Sequence, residues 1–396
     1  MLNIFKFLRP NFKAFSTRVI PKTGRTQAQW PEEPLDLPVD HNGGFYPGIL
    51  GNKINPKYTI VSKLGWGQHS SVWLAKQEGA LERRYVAVKI LTAHATEVQS
   101  QLSDELGLLQ LARDSAKQCR SSPGPSHIVG LLDSFEVSSI NGRHLCLVHE
   151  PMGRFPKLDG TGLPLSVVKV VAKQLLQALD FLHRECRVVH TDIKPDNILV
   201  ELDDVDTAVE IMDGESRPIA PMNAASSEPP IHAIFSHPIH VFTPEELLKL
   251  THSSKLNVKL TDFGTAVAVD GFHPAIIQPF ALRAPEVILG SEWGTSADIW
   301  NLGCLIFELL TGSWLFAPRG GPTWTPEAYH LAHMPTVAQE TFDATYFGTA
   351  KNFEQYFYDD GELRIKVAGV RGLEEALMNY EVMDGDEGEC SSTLTT

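Results

Sequence analysis

The chain has 396 residues, 43% of them hydrophobic, with 48 acidic against 34 basic side chains. That apolar content supports a large core spread over roughly two structural units, while the acidic balance argues against nucleic acid as a direct partner and suits a basic protein partner through long-range attraction. Five cysteines stand apart without a Cys-x-x-Cys pair and fifteen histidines show no metal-ligand spacing, so a reduced intracellular compartment is expected and no structural metal is.

Residues 1–30 read as a basic N-terminal extension, since residues 1–31 carry six Lys or Arg and no acid. Within residues 1–25, Ile4, Phe5, Phe7, Leu8, Phe12 and Phe15 mix with Lys6, Arg9, Lys13 and Arg18, a pattern similar to a mitochondrial transit peptide, although Pro10 interrupts a helix there. Two locations therefore stay open: cytoplasm or nucleus, and the mitochondrion. Residues 31–57, with Pro31, Pro34, Pro38, Pro47 and Pro56, read as an extended linker.

A small, mainly β unit is expected over residues 58–148. It opens with Leu64-Gly65-Trp66-Gly67-Gln68-His69-Ser70, in which Gly65 and Gly67 let the backbone lie close over phosphate groups. A glycine pair alone is an ordinary turn. Here Val72-Trp73-Leu74-Ala75 follows with β character, so the loop joins two strands instead of opening a helix, which argues against a dinucleotide-binding turn. Val86-Ala87-Val88-Lys89 is a second β-prone run that ends in a cation. The matching anion is sought on a helix: Leu102, Leu106 and Leu109 form an apolar stripe with Glu105 beside it, whereas Glu97 precedes the periodicity.

A larger, helical unit is expected over residues 149–383, beginning with the amphipathic stretch 165–182. Its decisive motif is His190-Thr191-Asp192-Ile193-Lys194-Pro195-Asp196-Asn197, followed after a second apolar run by Asp262-Phe263-Gly264. An acid, a lysine two residues on and an asparagine five residues on are what phosphoryl transfer needs: Asp192 to accept a hydroxyl proton, Lys194 to offset the charge on the moving phosphoryl group, and Asn197 and Asp262 as oxygen ligands for Mg2+. An insertion at 201–257 reads as loop with one short helix at 244–250. Ala284-Pro285-Glu286 comes next, then Asp298-Ile299-Trp300-Asn301-Leu302-Gly303. The apolar stretch 299–310 is too short to span a membrane and contains Glu308. A helix at 329–334 is expected to stop at Pro335, and residues 384–396 form an acidic, polar tail.

Taken together, these motifs resemble the eukaryotic protein kinases. Gly-Trp-Gly at 65–67, His-Thr-Asp-Ile-Lys-Pro at 190–195 and Ala-Asp-Ile-Trp at 297–300 are more specifically similar to the serine/arginine-rich-protein kinases. The resemblance implies an α+β, bilobal fold with a small β-rich lobe and a larger helical lobe that ends early. It implies ATP and Mg2+, with Leu64, Gly65, Gly67, Val72, Lys89 and Glu105 around the nucleotide and the Glu150 carbonyl and Met152 amide at the hinge, within His149-Glu150-Pro151-Met152-Gly153. A basic or Arg-Ser-rich protein substrate and a monomeric chain are the matching expectations. Thr191 stands where many kinases hold an arginine that binds a phosphorylated activation loop, so no such phosphate is expected. Two departures follow. The acidic substrate groove of the subfamily keeps only Glu327 in the stretch 323–330, and the arginine that normally pairs with Glu286 is missing, leaving Glu286 solvated, paired with Arg364 or Arg371, or buried alone. An inactive kinase-like scaffold and a small-molecule phosphotransferase are the competing readings.

Overall fold

Strand alternation builds the first lobe. The computed structural model describes residues 32–35, 37–79, 85–99, 104–158, 160–212, 234–342, 347–365 and 372–380, so the transit-like stretch and the acidic tail lie outside the described residues. Strands β1 (Lys53–Asn55), β2 (Tyr58–Gly67), β3 (Ser70–Gln77), β4 (Tyr85–Leu91), β5 (Asp133–Ser139) and β6 (Gly142–His149) form one antiparallel sheet in the order β1-β2-β3-β4-β6-β5. One face buries Ile60, Trp73, Val86, Val88, Ile90, Cys146 and Val148. The alternate residues Val72, Lys89 and Leu147 share a register row and point to the opposite face, because successive side chains in a strand alternate. Two short helices flank the sheet, α1 (Val39–Asn42) and α2 (Ala93–Glu97).

Below it, α3 (Glu105–Gln118) starts where Asp104 accepts a hydrogen bond from the Gly107 amide. The second lobe centres on α4 (Leu165–Asp180), whose buried residues Val167, Val168, Val171, Ala172, Leu175, Ala178 and Leu179 recur at three and four. Around it lie β7 (Gly153–Arg154), β8 (Val188–Val189), β9 (Ile198–Val200), α5 (Val205–Ile211), α6 (Pro244–His252), β10 (Val258–Leu260), β11 (Val267–Ala268), α7 (Pro285–Leu289), α8 (Ser296–Thr311) and α9 (Pro326–Ala338). Side chains from α3, α4, β9, β10 and α8 share one continuous core that crosses between the lobes. The α+β bilobal architecture expected from sequence is the one observed.

Three stretches differ from expectation. Residues 32–57 do not hang free as a linker: Phe45 and Ile54 are buried, and Glu32 and Glu33 close on the fully buried Lys63 ammonium of β2. Burial pulls that ammonium down to about 8, and Glu32 opposes the pull, so it stays charged at neutral pH. The insertion holds a second helix, α5, capped by Asp204, and α6 runs two residues past 250, behind a capping box of Thr243 and Glu246. Finally, α9 continues through Pro335 to Ala338. The ring sacrifices only its own amide bond, and the turn closes when the Gln339 amide donates to the Pro335 carbonyl.

The returning end of the insertion touches both lobes. The His237 amide donates to the Lys63 carbonyl at 2.7 Å, Ser236 binds Glu32, and Ile234 joins the outer core of the sheet. A few residues later the Arg154 amide donates to the His240 carbonyl at 2.8 Å and the Phe242 amide to the Arg154 carbonyl at 3.1 Å. Helix α5 adds Val209 to a cluster with Leu74, Tyr85 and Ile239 under the same sheet.

On α9, His330 is fully buried between Phe316 and Phe280, at ring distances of 4.8 and 6.0 Å, and neither ring nitrogen has a partner among the described residues. Burial, with His333 and Arg283 nearby, pulls its imidazole down to about 3. The unfolded imidazole takes up a proton near its ordinary value of about 6.5 while the folded one does not, so stability is full above that pH and falls as pH drops toward 3. Replacing His330 with Leu should therefore raise stability by about 1–3 kcal/mol and flatten its loss between pH 7.5 and 5. Urea midpoints at the two pH values measure this; parallel midpoint shifts in both proteins would refute it.

Candidate active site

The cleft between the lobes is built from the cation upward. Lys89, at the centre of β4, reaches Glu105 Oε1 of α3 at 2.6 Å and Asp262 Oδ1 at 2.7 Å. Burial works to lower the Lys89 ammonium, but Asp262 and Glu105 together push it well above its ordinary value. Lys89 in turn holds the Asp262 carboxyl far below the usual carboxylate range, whereas burial pushes Glu105 up against the pull of the same lysine. Of the two glutamates weighed from sequence, Glu105 is buried against Lys89 and Glu97 is exposed. Gly264 must be small: a Cβ there would lie 3.2 Å from Asp262 Oδ1 and 3.6 Å from Glu105 Oε2. Asp262 itself has φ +66°, a left-handed backbone that turns its carboxylate into the cleft.

Opposite this triad, Lys194 Nζ donates to Asp192 Oδ2 at 2.7 Å, and Asn197 Nδ2 donates to the Asp192 carbonyl at 2.7 Å and to Oδ2 at 3.0 Å. A carbonyl only accepts, so the Asn197 nitrogen faces Asp192 and its Oδ1 is turned the other way, as a metal ligand requires. Gly65 pairs with Val72 and Val72 with Lys89, placing the glycine turn over the same row of the sheet. A Cβ on Gly67 would meet nothing within 4 Å. Leu64 packs toward the Leu74 cluster, and Met152 is buried just after the hinge. The Glu150 side chain is turned to Lys259, whose Nζ donates to Oε1 at 2.6 Å. Lys89, Glu105 and Asp262 are thus brought into direct contact, as are Asp192, Lys194 and Asn197.

The sequence matches the family described as protein kinase domain over residues 58–223 and 244–346. The chain belongs to the protein kinase family. Among curated relatives, the serine/threonine-protein kinase SRPK of Physarum polycephalum is 34% identical over 335 residues, covering 81% of this chain and 76% of the relative. Protein kinase dsk1 of Schizosaccharomyces pombe is 30% identical over 376 residues, covering 74% and 68%. SRSF protein kinase 3 of Mus musculus is 28% identical over 488 residues, covering 88% and 84%. The protein is a serine/threonine kinase of the SRPK group, and its family in general uses ATP and Mg2+.

What holds the kinase's catalytic loop is Asp298 at the start of α8. Its fully buried carboxylate accepts from the backbone amides of His190 and Thr191, each at 2.8 Å, and lies 2.8 Å from His183 Nε2. Sequence flagged this acid within the Ala-Asp-Ile-Trp motif at 297–300; its role as anchor shows once the loop is folded against it. Thr191, at φ +71°, donates its hydroxyl to the Thr265 carbonyl at 2.9 Å. The kinase therefore ties its activation segment to the catalytic loop through a short neutral contact at the place where an arginine–phosphate pair was not expected. His190 fixes the other side: its Nε2 donates to the Thr261 carbonyl at 3.0 Å, and its ring meets Phe263 edge-on at 5.2 Å.

Glu286 corrects a sequence expectation. It is buried but not alone, since the Ser296 hydroxyl donates to its Oε1 at 3.1 Å. Arg364 instead donates to the Glu354 carbonyl, and Arg371 lies outside the described residues. Burial lowers the Arg283 guanidinium, and the charge of Glu327 opposes that pull. His127 and His144 are both buried and hydrogen-bonded to main-chain carbonyls.

Proposed function

We propose that this cleft transfers the γ-phosphoryl group of ATP to serine or threonine in basic, Arg-Ser-rich proteins. The observation that carries the reading is the Asp192 carboxylate. Its Oδ2 takes the bonds from Lys194 and Asn197, which leaves Oδ1 without a partner among the described residues and free to receive the substrate hydroxyl proton. Lys194 sits where it can offset charge spreading over the transferring group. The donor set fits a magnesium site: one hard carboxylate at Asp262 and one amide oxygen at Asn197, a small protein share that suits an ion which keeps waters and phosphate oxygens as its other ligands. Bound there, Mg2+ would neutralise phosphate charge. Leu64, Gly65, Gly67 and Val72 would cover the triphosphate and base, Lys89 held by Glu105 would pair with phosphate, and the Glu150 carbonyl and Met152 amide would take the base edge.

For the acceptor, the curated relatives carry the inference: mouse SRSF protein kinase 3 is named for SRSF proteins. The net charge of −14 supports attraction of a basic chain. Offered labelled ATP, the protein should phosphorylate an Arg-Ser repeat peptide at least about tenfold more efficiently than an isosteric neutral Ser peptide, and the gap should shrink as salt rises. Excess EDTA should reduce transfer to background. Equal kcat/KM for both peptides would remove the Arg-Ser preference; transfer to neither would remove the activity.

A further inference from the structure

One polar side chain on the cleft face has no part in the mechanism above. His149 ends β6 immediately before the hinge, and its register partner is Ala87, two residues before Lys89. Strand alternation puts Ala87 and Lys89 on one face, and their partners His149 and Leu147 on that face too. The His149 side chain therefore lies on the wall between Lys89 and the hinge carbonyl of Glu150. It is 8% exposed. Its Nδ1 lies 3.0 Å from the Gly130 carbonyl, which can only accept, so Nδ1 carries the proton and Nε2 presents a lone pair. Among the described residues that Nε2 has no hydrogen-bond partner, and it is not one of the fully buried unpaired atoms; the strand face that carries it is the one that carries Lys89. Burial, aided by the Lys89 charge, pulls the imidazole down to about 4, which keeps it neutral at physiological pH.

A fixed acceptor beside the hinge is a means of reading the purine edge. We propose that His149 is a specificity residue for the nucleotide, its Nε2 accepting from the 6-amino group of ATP and opposing the 6-oxo group of ITP or GTP. The inference rests on the ATP reading above and deepens it. Adenine offers an amino group at that position, with two protons: one suits the Glu150 carbonyl and the second suits Nε2. A 6-oxo purine would set one acceptor against another beside a largely buried side chain, and a buried polar atom left so opposed makes a site reject the wrong ligand. An apolar side chain at 149 would not distinguish the two through this contact.

The test uses calorimetric titration of the full chain with Mg-ATP and Mg-ITP, for the wild type, His149→Leu and His149→Phe. The wild type should bind ATP more tightly, and both variants should lower the ratio of ATP to ITP affinity by about tenfold, chiefly through weaker ATP binding. Two replacements of different size separate the lost acceptor from a packing defect, because only the former moves the ratio in both. An unchanged ratio in either folded variant overturns the proposal, as does a wild type that binds ITP as tightly as ATP. Those outcomes leave ATP binding itself intact, whereas a wild type that binds neither nucleotide ends the ATP reading and this inference together.

Discussion

Replacing Asp192 with Asn should reduce phosphate transfer by about 10²- to 10⁴-fold while leaving the affinity for Mg-ATP within about twofold of wild type. The substitution keeps the shape of the side chain, so the loop tied down by Asn197 and by Asp298 has no reason to move. What disappears is the anionic oxygen that would take the hydroxyl proton. The charge on Lys194 loses its partner at the same time, which adds to the deficit in turnover and not in nucleotide binding. Single-turnover transfer of labelled phosphate to an Arg-Ser peptide, beside a calorimetric ATP titration, separates the two effects. Undiminished turnover would mean that another group accepts the proton.

The second large effect is on stability. Lys63→Met should cost about 3–5 kcal/mol, because it leaves the buried Glu32 and Glu33 against the sheet without their shared cation. Adding Glu32→Gln and Glu33→Gln to the same chain should recover most of that loss, since the penalty comes from stranded charge and not from lost volume. The three-residue replacement is thus the control, read by chemical unfolding of each variant. A Lys63→Met protein within about 1 kcal/mol of wild type would show that the acids escape to water and that the N-terminal segment is only loosely seated.

The parts of the fold legible in the sequence were those governed by short spacings. Val86 to Lys89 could be read as a strand ending in a cation, and Glu105 as its helical partner, because the Leu106 and Leu109 stripe and the strand pattern are local signals. The loop from His190 to Asn197 carries its chemistry within eight residues. What escaped was long-range. Lys63 meets Glu32 and Glu33 about thirty residues upstream and the Ile234 carbonyl 171 residues downstream, and no local pattern announces such a meeting. Prolines misled in both directions. They made 31–57 look unattached although the Asn141 side chain donates to its Phe45 carbonyl, and Pro335 looked like a stop although only one amide bond was at stake. Ser296 as the partner of Glu286 was invisible because a neutral hydroxyl does not advertise itself beside a carboxylate in sequence.

The returning end of the insertion carries a mechanical consequence. Within a handful of residues it is bonded on one side to Lys63, directly ahead of the glycine turn, and on the other to Arg154, directly after the hinge. A rotation that gapes the mouth of the enzyme must break the main-chain bond at Lys63, break the two at Arg154, or stretch the residues between them. An opening of the mouth is therefore coupled to a segment far along the polypeptide from the chemistry, and deleting residues between those bonds is expected to resist it without touching a single reacting group.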